Sequence, residues 1–283
     1  MNKLYKDLYL EAEKKGYDLA NEKSKEIYRQ QRKDREELLN KIGRVIISYT
    51  VLDAMLSIGD RDEKNLTKEF SAIVNNIAKN QYRTEKTITN DILSTVTHDK
   101  YYKDAYLLNI GMDFNLKKLT DKQIKGIVNG EIKGTSWSDR IWKNKGQLER
   151  TLIKEVNHFF DGDTSINKIE KNIRNRFNQN AYNTKRLLET EVCRCQNEVN
   201  NVFAEEHNIE KQMYCATLDN RTCQSCAEDD GKIYDINDID KPDLPRHPLD
   251  RCCYINMPSD NWKPKQKIQL IMKIIISGLK KKK

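Results

Sequence analysis

Proline is missing from the first 241 residues of this 283-residue chain, and all five prolines stand at or beyond position 242. A proline inside a helix costs roughly 3 kcal/mol, so such a run fits a mostly helical body with a differently built end. Long apolar runs are missing too. The nearest candidate, Ile268 to Leu279, is interrupted by Lys273. It falls short of the ~18 to 20 apolar residues that cross a bilayer, so no membrane span is expected. The opening MNKLYKDLYLEAEKK lacks the apolar stretch of a secretory signal, and a reducing cytoplasm is the expected setting. There, seven cysteines point to thiols or metal ligands rather than disulfides.

Charge is present, but not where its total suggests. Lys and Arg number 51 against 43 Asp and Glu, a net of +8. The segment 261–283 holds eight Lys and no acid, so the first 260 residues balance at 43 against 43. The body is therefore not a nucleic-acid-binding domain by charge alone. Electrostatic attraction to phosphate is confined to the tail or to local patches. Charged residues make up 33% and hydrophobic ones 37%, with the apolar positions periodic rather than scarce. That pattern reads as solvated helices sharing modest cores, not as disorder.

Leu38, Ile42, Val45, Ile46, Tyr49, Leu52 and Leu56 recur at steps of three and four, one helical stripe. Leu188, Val192, Cys195, Val199, Val202 and Phe203 form a second. Ile166, Ile169, Ile173 and Phe177 form a third, after the capping turn Asp161–Gly162–Asp163–Thr164. Thr120 and Gln123 have capping-box spacing. Gly126, Gly130 and Gly134 predict a loop and a boundary near 130. The fold class expected is mainly α: an elongated helical body with a small C-terminal zinc-binding α+β module. Its segments are an N-terminal helical region (1–130), a helical part (131–212), a zinc-knuckle module (213–260) and a basic tail (261–283).

The chemistry concentrates between Thr217 and Pro258. Cys223-x-x-Cys226 is a knuckle spacing, in which a tight turn brings two thiolates to one metal. Asp230–Gly231 supplies a hairpin-type turn, with Lys232, Ile233 and Tyr234 as strand material. His247-x4-Cys252 then offers a nitrogen and a third sulfur. Cys223, Cys226, His247 and Cys252 make a closed Cys3His set suited to structural Zn2+, leaving no position for a reactive water. Cys253 is the neighbouring alternative to Cys252. A CxxC redox pair needs a βαβ context that this proline-rich loop lacks. The segment has few large apolar side chains, so a bound ion supplies free energy that burial cannot, on the order of 10 kcal/mol. Cys193, Cys195 and Cys215 read as packing residues. Asp219 and Arg221 read as a local contact framing the knuckle, and Trp137 and Trp142 as helix-core packing.

The run Thr-Leu-Asp-Asn-Arg-Thr-Cys-x-x-Cys, then Asp-Gly, then Pro-x-His-Pro-x-x-x-Cys, resembles the minor head (head morphogenesis) proteins of tailed bacteriophages, including the Mu F-like proteins. Ser138–Asp139–Arg140–Ile141–Trp142 resembles the family's S-x-R-I-W. Arg186 to Glu191 resembles its R-x-x-x-T-E helix. The likeness covers about 134–258. One departure is plain: where the family reads His-Pro-x-Cys-Arg-Cys, this chain has Asp250 at the first Cys and Cys252 at the second. The resemblance implies a non-enzymatic minor capsid protein that binds the portal protein and capsid or scaffold components. Such a protein meets packaged double-stranded DNA and passes from the host cytoplasm into the virion, near the portal vertex. The Lys-rich tail is the candidate DNA contact.

Two other classes are weighed against this. An HNH-type endonuclease needs a His general base beside a metal. His247 is better used as a ligand, and His98, His158 and His207 lack acidic partners at motif spacing. A zinc-finger-like DNA-binding module presents basic surface. Here the inter-ligand loop carries seven acids, from Glu228 to Asp243, against Lys232 and Lys241.

Overall fold

The computed structural model describes residues 2–217, 222–258 and 262–265. It is mainly helical, with two short hairpins and a three-stranded sheet toward the C-terminal end. Helices α1 (Lys3–Lys23) and α2 (Lys25–Ser48) lead into a hairpin of β1 (Thr50–Leu52) and β2 (Met55–Ser57). A 52-residue helix, α3 (Asp60–Gly111), and a short α4 (Asp121–Val128) follow. A second hairpin, β3 (Glu131–Ile132) and β4 (Thr135–Ser136), precedes α5 (Trp137–Phe160) and α6 (Ile166–Glu206). The remainder is β5 (Lys211–Cys215), α7 (Gln224–Asp229), β6 (Ile233–Asp235) and β7 (Cys253–Asn256).

Several boundaries differ from the periodicity. The first stripe does not run on to Leu56. Helix α2 stops at Ser48, and Asp53 and Ala54 take left-handed φ of 47° and 63° at the tip of the β1–β2 hairpin. Isoleucine, threonine and valine crowd residues 46–51, and β-branching favours a strand there. The second and third stripes are one helix, α6. Gly126 lies inside α4, while Gly134, with φ +68°, sits in the β3–β4 turn. The capping box at Thr120 is formed, with Gln123 N–H donating to Thr120 Oγ1 at 3.3 Å.

Contacts divide the chain into two units, each assembled from separated stretches: 21–92 with 130–188, and 1–20 with 93–129 and 189 onward. Two of the divisions fall inside α3 and α6, and another falls at 129/130, beside the glycine-marked boundary. The first unit is held by an apolar core including Leu38, Phe70, Leu152, Phe159, Phe160 and Ile173, with Phe70 and Phe160 edge to face at 5.1 Å. Trp142 corrects the packing expectation: Trp137 is buried, but Trp142 is 56% exposed and rests edge-on against Tyr82.

The second unit combines α1, the end of α3, α4, the end of α6 and a three-stranded antiparallel sheet in the order β6-β5-β7. Its interior carries a charged group. Lys100 Nζ lies 2.6 Å from Asp104 and 3.1 Å from Glu13, and 3.9 Å over the Tyr9 ring. Trp262 is buried, donates from Nε1 to the Leu107 carbonyl at 3.3 Å, and meets Tyr5 edge-on. A Cβ at Gly111 would run into this indole. The basic tail is thus anchored at Trp262; its residues 261 and 266–283 lie outside the described residues, as do Asp219 and Arg221. Among the described residues no helix is long and apolar enough to cross a membrane.

Candidate metal centre

Cys223 precedes α7 as its N-cap and Cys226 lies in its first turn, which places the two thiols on one side of a six-residue helix. The Cys223 and Cys226 sulfurs and a His247 ring nitrogen all lie within 4.8 Å of one another. A second group, Cys226, Asp250 and Cys252, meets the same limit. Cys226 is common to both; Cys252 is not grouped with Cys223 or His247, though all four residues line one cavity of ≈ 180 Å³ together with Thr217, Thr222 and Arg251. Cys226 Sγ stands 3.8 Å from His247 Nε2. Zinc bonds of about 2.3 Å to sulfur and 2.0 to 2.1 Å to nitrogen set tetrahedral S···N neighbours about 3.6 Å apart, so this edge is already near its ligated length.

Cys252 and Cys253 are sorted by the strand. Cys252 joins Cys226 and Asp250, whereas Cys253 opens β7 and pairs across with Cys215 of β5. Successive side chains alternate faces, so the two cannot both turn to the cavity. Cys193 packs in the apolar cluster behind the centre and donates to the Cys252 carbonyl at 3.5 Å. His98, His158 and His207 are in neither ligand group.

Three residues that ligand spacing does not reveal hold the geometry. Asp250 is buried, and its carboxylate accepts from the Arg246 amide at 2.8 Å and the Cys252 amide at 2.9 Å. It brackets His247 and Cys252 in one tight loop. With both oxygens engaged, it is better placed to shape the loop than to replace a sulfur. Arg246 crosses from that loop to α7: it donates to the Ser225 carbonyl at 3.0 Å, pairs with Asp229, and lies over the Tyr214 ring at 4.8 Å. Thr190 accepts from the Leu249 amide at 3.0 Å, where Leu249 takes a left-handed φ of 65°. The adjacent Glu191 pairs with Arg194 at 2.7 Å, which in turn donates to the Ile127 and Val128 carbonyls at the end of α4. The R-x-x-x-T-E motif is thereby a loop anchor and a helix clamp.

The protonation tendencies diverge. Hydrogen bonds from Ser225 and Cys226 pull the Cys223 thiol down to about 6. Burial pushes Cys226 up, and pushes Cys252 up to about 12. Burial alone would lower His247, but the Pro248 carbonyl, Asp250 and Cys223 outweigh it and raise it. Buried thiols that resist ionisation need a nearby positive charge to become ligands. The Tyr214 hydroxyl supplies an independent observation. It is fully buried, and beyond burial the groups that face it are the Cys226 and Cys252 thiols. A neutral thiol is only a weak acceptor for it. A thiolate is the acceptor that would satisfy it. Two sulfurs and a nitrogen close together, with a third sulfur beside Cys226, make a donor set of the kind that suits a soft divalent cation such as Zn2+.

Residues 160–255 match the family model described as phage Mu protein F like protein. No curated protein and no solved structure matches the chain. The matched stretch contains Thr190, Glu191 and all four proposed ligands. The portion of the chain that builds the centre is thus similar to the phage Mu F-like minor head proteins, the family its motifs resemble.

Proposed function

We propose that this chain is a minor head protein of a tailed phage or prophage, acting by binding rather than catalysis. One observation carries the reading: the family match at 160–255 encloses the whole cysteine–histidine cluster and the helix motif that anchors its loop. Cys223, Cys226, His247 and Cys252 would hold Zn2+, which supplies a cross-link between α7 and the 246–252 loop. Asp250, Arg246 and Thr190 orient that loop, and Tyr214 offers a hydrogen bond to the sulfurs. With four protein ligands the role is structural. The partners proposed are the portal protein and other head components, met in the host cytoplasm before the chain enters the capsid interior near the portal vertex. Double-stranded DNA is a further partner through the Lys-rich tail.

The test is composition of particles. Proheads and mature virions of the encoding phage or prophage, purified and analysed by quantitative mass spectrometry, should contain the chain in few copies. Co-expression should capture the portal protein on the tagged chain. Absence from both kinds of particle would overturn the reading. For the tail, truncation should begin at 266 so that Trp262 and Lys265 keep their packing. Salt-sensitive DNA binding unchanged by that truncation would remove DNA from the proposal.

A further inference from the structure

The face of the sheet turned away from Tyr214 and Tyr254 carries a second pair of thiols that the metal centre does not use. Cys215 ends β5 and Cys253 begins β7, and the antiparallel register places them directly opposite each other. The Met257 amide donates to the Lys211 carbonyl, two rungs beyond Met213 and Ile255. Hydrogen-bonded rungs alternate, so Cys215 and Cys253 occupy one of them. Their Cα atoms are then about 5.5 Å apart, inside the window a disulfide requires. Both are buried, at 5% and 7% exposure.

We propose that Cys215 and Cys253 are a disulfide-forming pair, a modification site that closes on exposure to a small peroxide and cross-links β5 to β7. The sulfur of one cysteine attacks the O–O bond, taking one oxygen as a sulfenic acid and releasing water. The second sulfur displaces that oxygen as another water. Two S–H bonds and one O–O bond are lost; one S–S and two O–H bonds form, and the peroxide is reduced. The oxidant must be small because the pair is buried. The alternation that gives Cys252 to the metal cavity also keeps Cys253 out of it, so bridge and metal can coexist on opposite faces. This goes beyond the head-protein reading and does not depend on it.

The experiment uses the full-length protein with zinc salt present. It is treated with hydrogen peroxide, unfolded, alkylated and mapped by peptide mass spectrometry, with fragment spectra separating Cys252 from Cys253. Alkylatable thiols should fall from the seven of the reduced chain to five, with the lost pair bridging Cys215 to Cys253. Cys253→Ser should leave Cys215 alkylated under the same treatment. All seven thiols alkylated, or a bridge joining Cys223 to Cys226 while Cys215 stays free, would overturn the proposal. The wild-type map alone decides the matter if the variant does not fold.

Discussion

Among the described residues, fifteen buried apolar side chains from Leu38 to Phe177 form the core of the helical unit, and Phe70, Phe159 and Phe160 are among them. The buried cluster behind the cysteine centre has seven members, three of them cysteines. The helical unit draws its stability from area removed from water, roughly 25 cal/mol per Å². The cysteine module has too little such area and relies on convergent polar groups, with an ion as their proposed organiser. Damage to each region should therefore look different.

The largest effect is expected at Cys226, the residue common to both ligand groups. In Cys226→Ser, elemental mass spectrometry should lose the one zinc per chain expected of wild type. Hydrogen exchange should show residues 211–256 unprotected while α2 and α5 stay protected. The free energy at stake is on the order of 10 kcal/mol. Zinc retained in the variant, or α2 and α5 losing protection too, would break the comparison. Next comes the reverse lesion. Phe160→Ala should cost about 3–5 kcal/mol by leaving a cavity against Phe70, with zinc stoichiometry unchanged. An equal loss of zinc would mean that the two regions unfold as one.

The spacing of Cys223, Cys226, His247 and Cys252 was legible because a metal constrains ligand positions along the chain. The residues that aim them were not. Asp250 stands out only as a departure from the family's Cys, and Arg246 as an ordinary loop charge, until the fold brings amides and Asp229 to them. Tyr214 looks like strand material, and the place of its hydroxyl beside the Cys226 and Cys252 thiols is a fact of three dimensions. Thr190 and Glu191 were visible only as a family motif; their task, holding Leu249 and Arg194, needs the loop and α4 in place. Helical type was readable from proline and periodicity. The unbroken 52 residues of α3 were not, since nothing in an amphipathic pattern marks where a helix passes from one core to another. The β1–β2 hairpin was missed because its apolar residues happen to keep helical spacing.

Buried ions sharpen the contrast on a smaller scale. In the helical unit Lys145 faces Glu85 at 2.6 Å. In the other unit one ammonium, Lys100, faces two carboxylates, Asp104 and Glu13. Burial, with Glu13 adding to it against the pull of Lys100, pushes Asp104 up to about 6. A folded-state value above the unfolded one means the native protein holds the extra proton. Asp104's contribution is then fully present below about pH 4 and is lost as pH rises to about 6. Urea midpoints at about pH 4 and pH 6, compared between wild type and Asp104→Asn, should show the wild type gaining less stability over that interval. Parallel profiles would mean that Asp104 binds its proton alike in the folded and unfolded protein.

The smallest effect separates the cysteine module from any conventional core, because its sign should depend on the metal. Tyr214→Phe deletes one hydroxyl and leaves the ring against Tyr254 and under Arg246. Without metal that hydroxyl faces neutral thiols, which are weak acceptors, so its removal should be neutral or stabilising by up to about 1 kcal/mol. With Zn2+ bound the neighbouring sulfurs are thiolates, and a hydrogen bond to a charged acceptor contributes about 1.5–3 kcal/mol. The same substitution should then destabilise the protein and lower zinc affinity by about tenfold or more. Urea unfolding with excess zinc and with a chelator reads both states. A change of the same sign in each would show that Tyr214 serves packing alone and that the sulfurs beside it never acquire the charge a metal would give them.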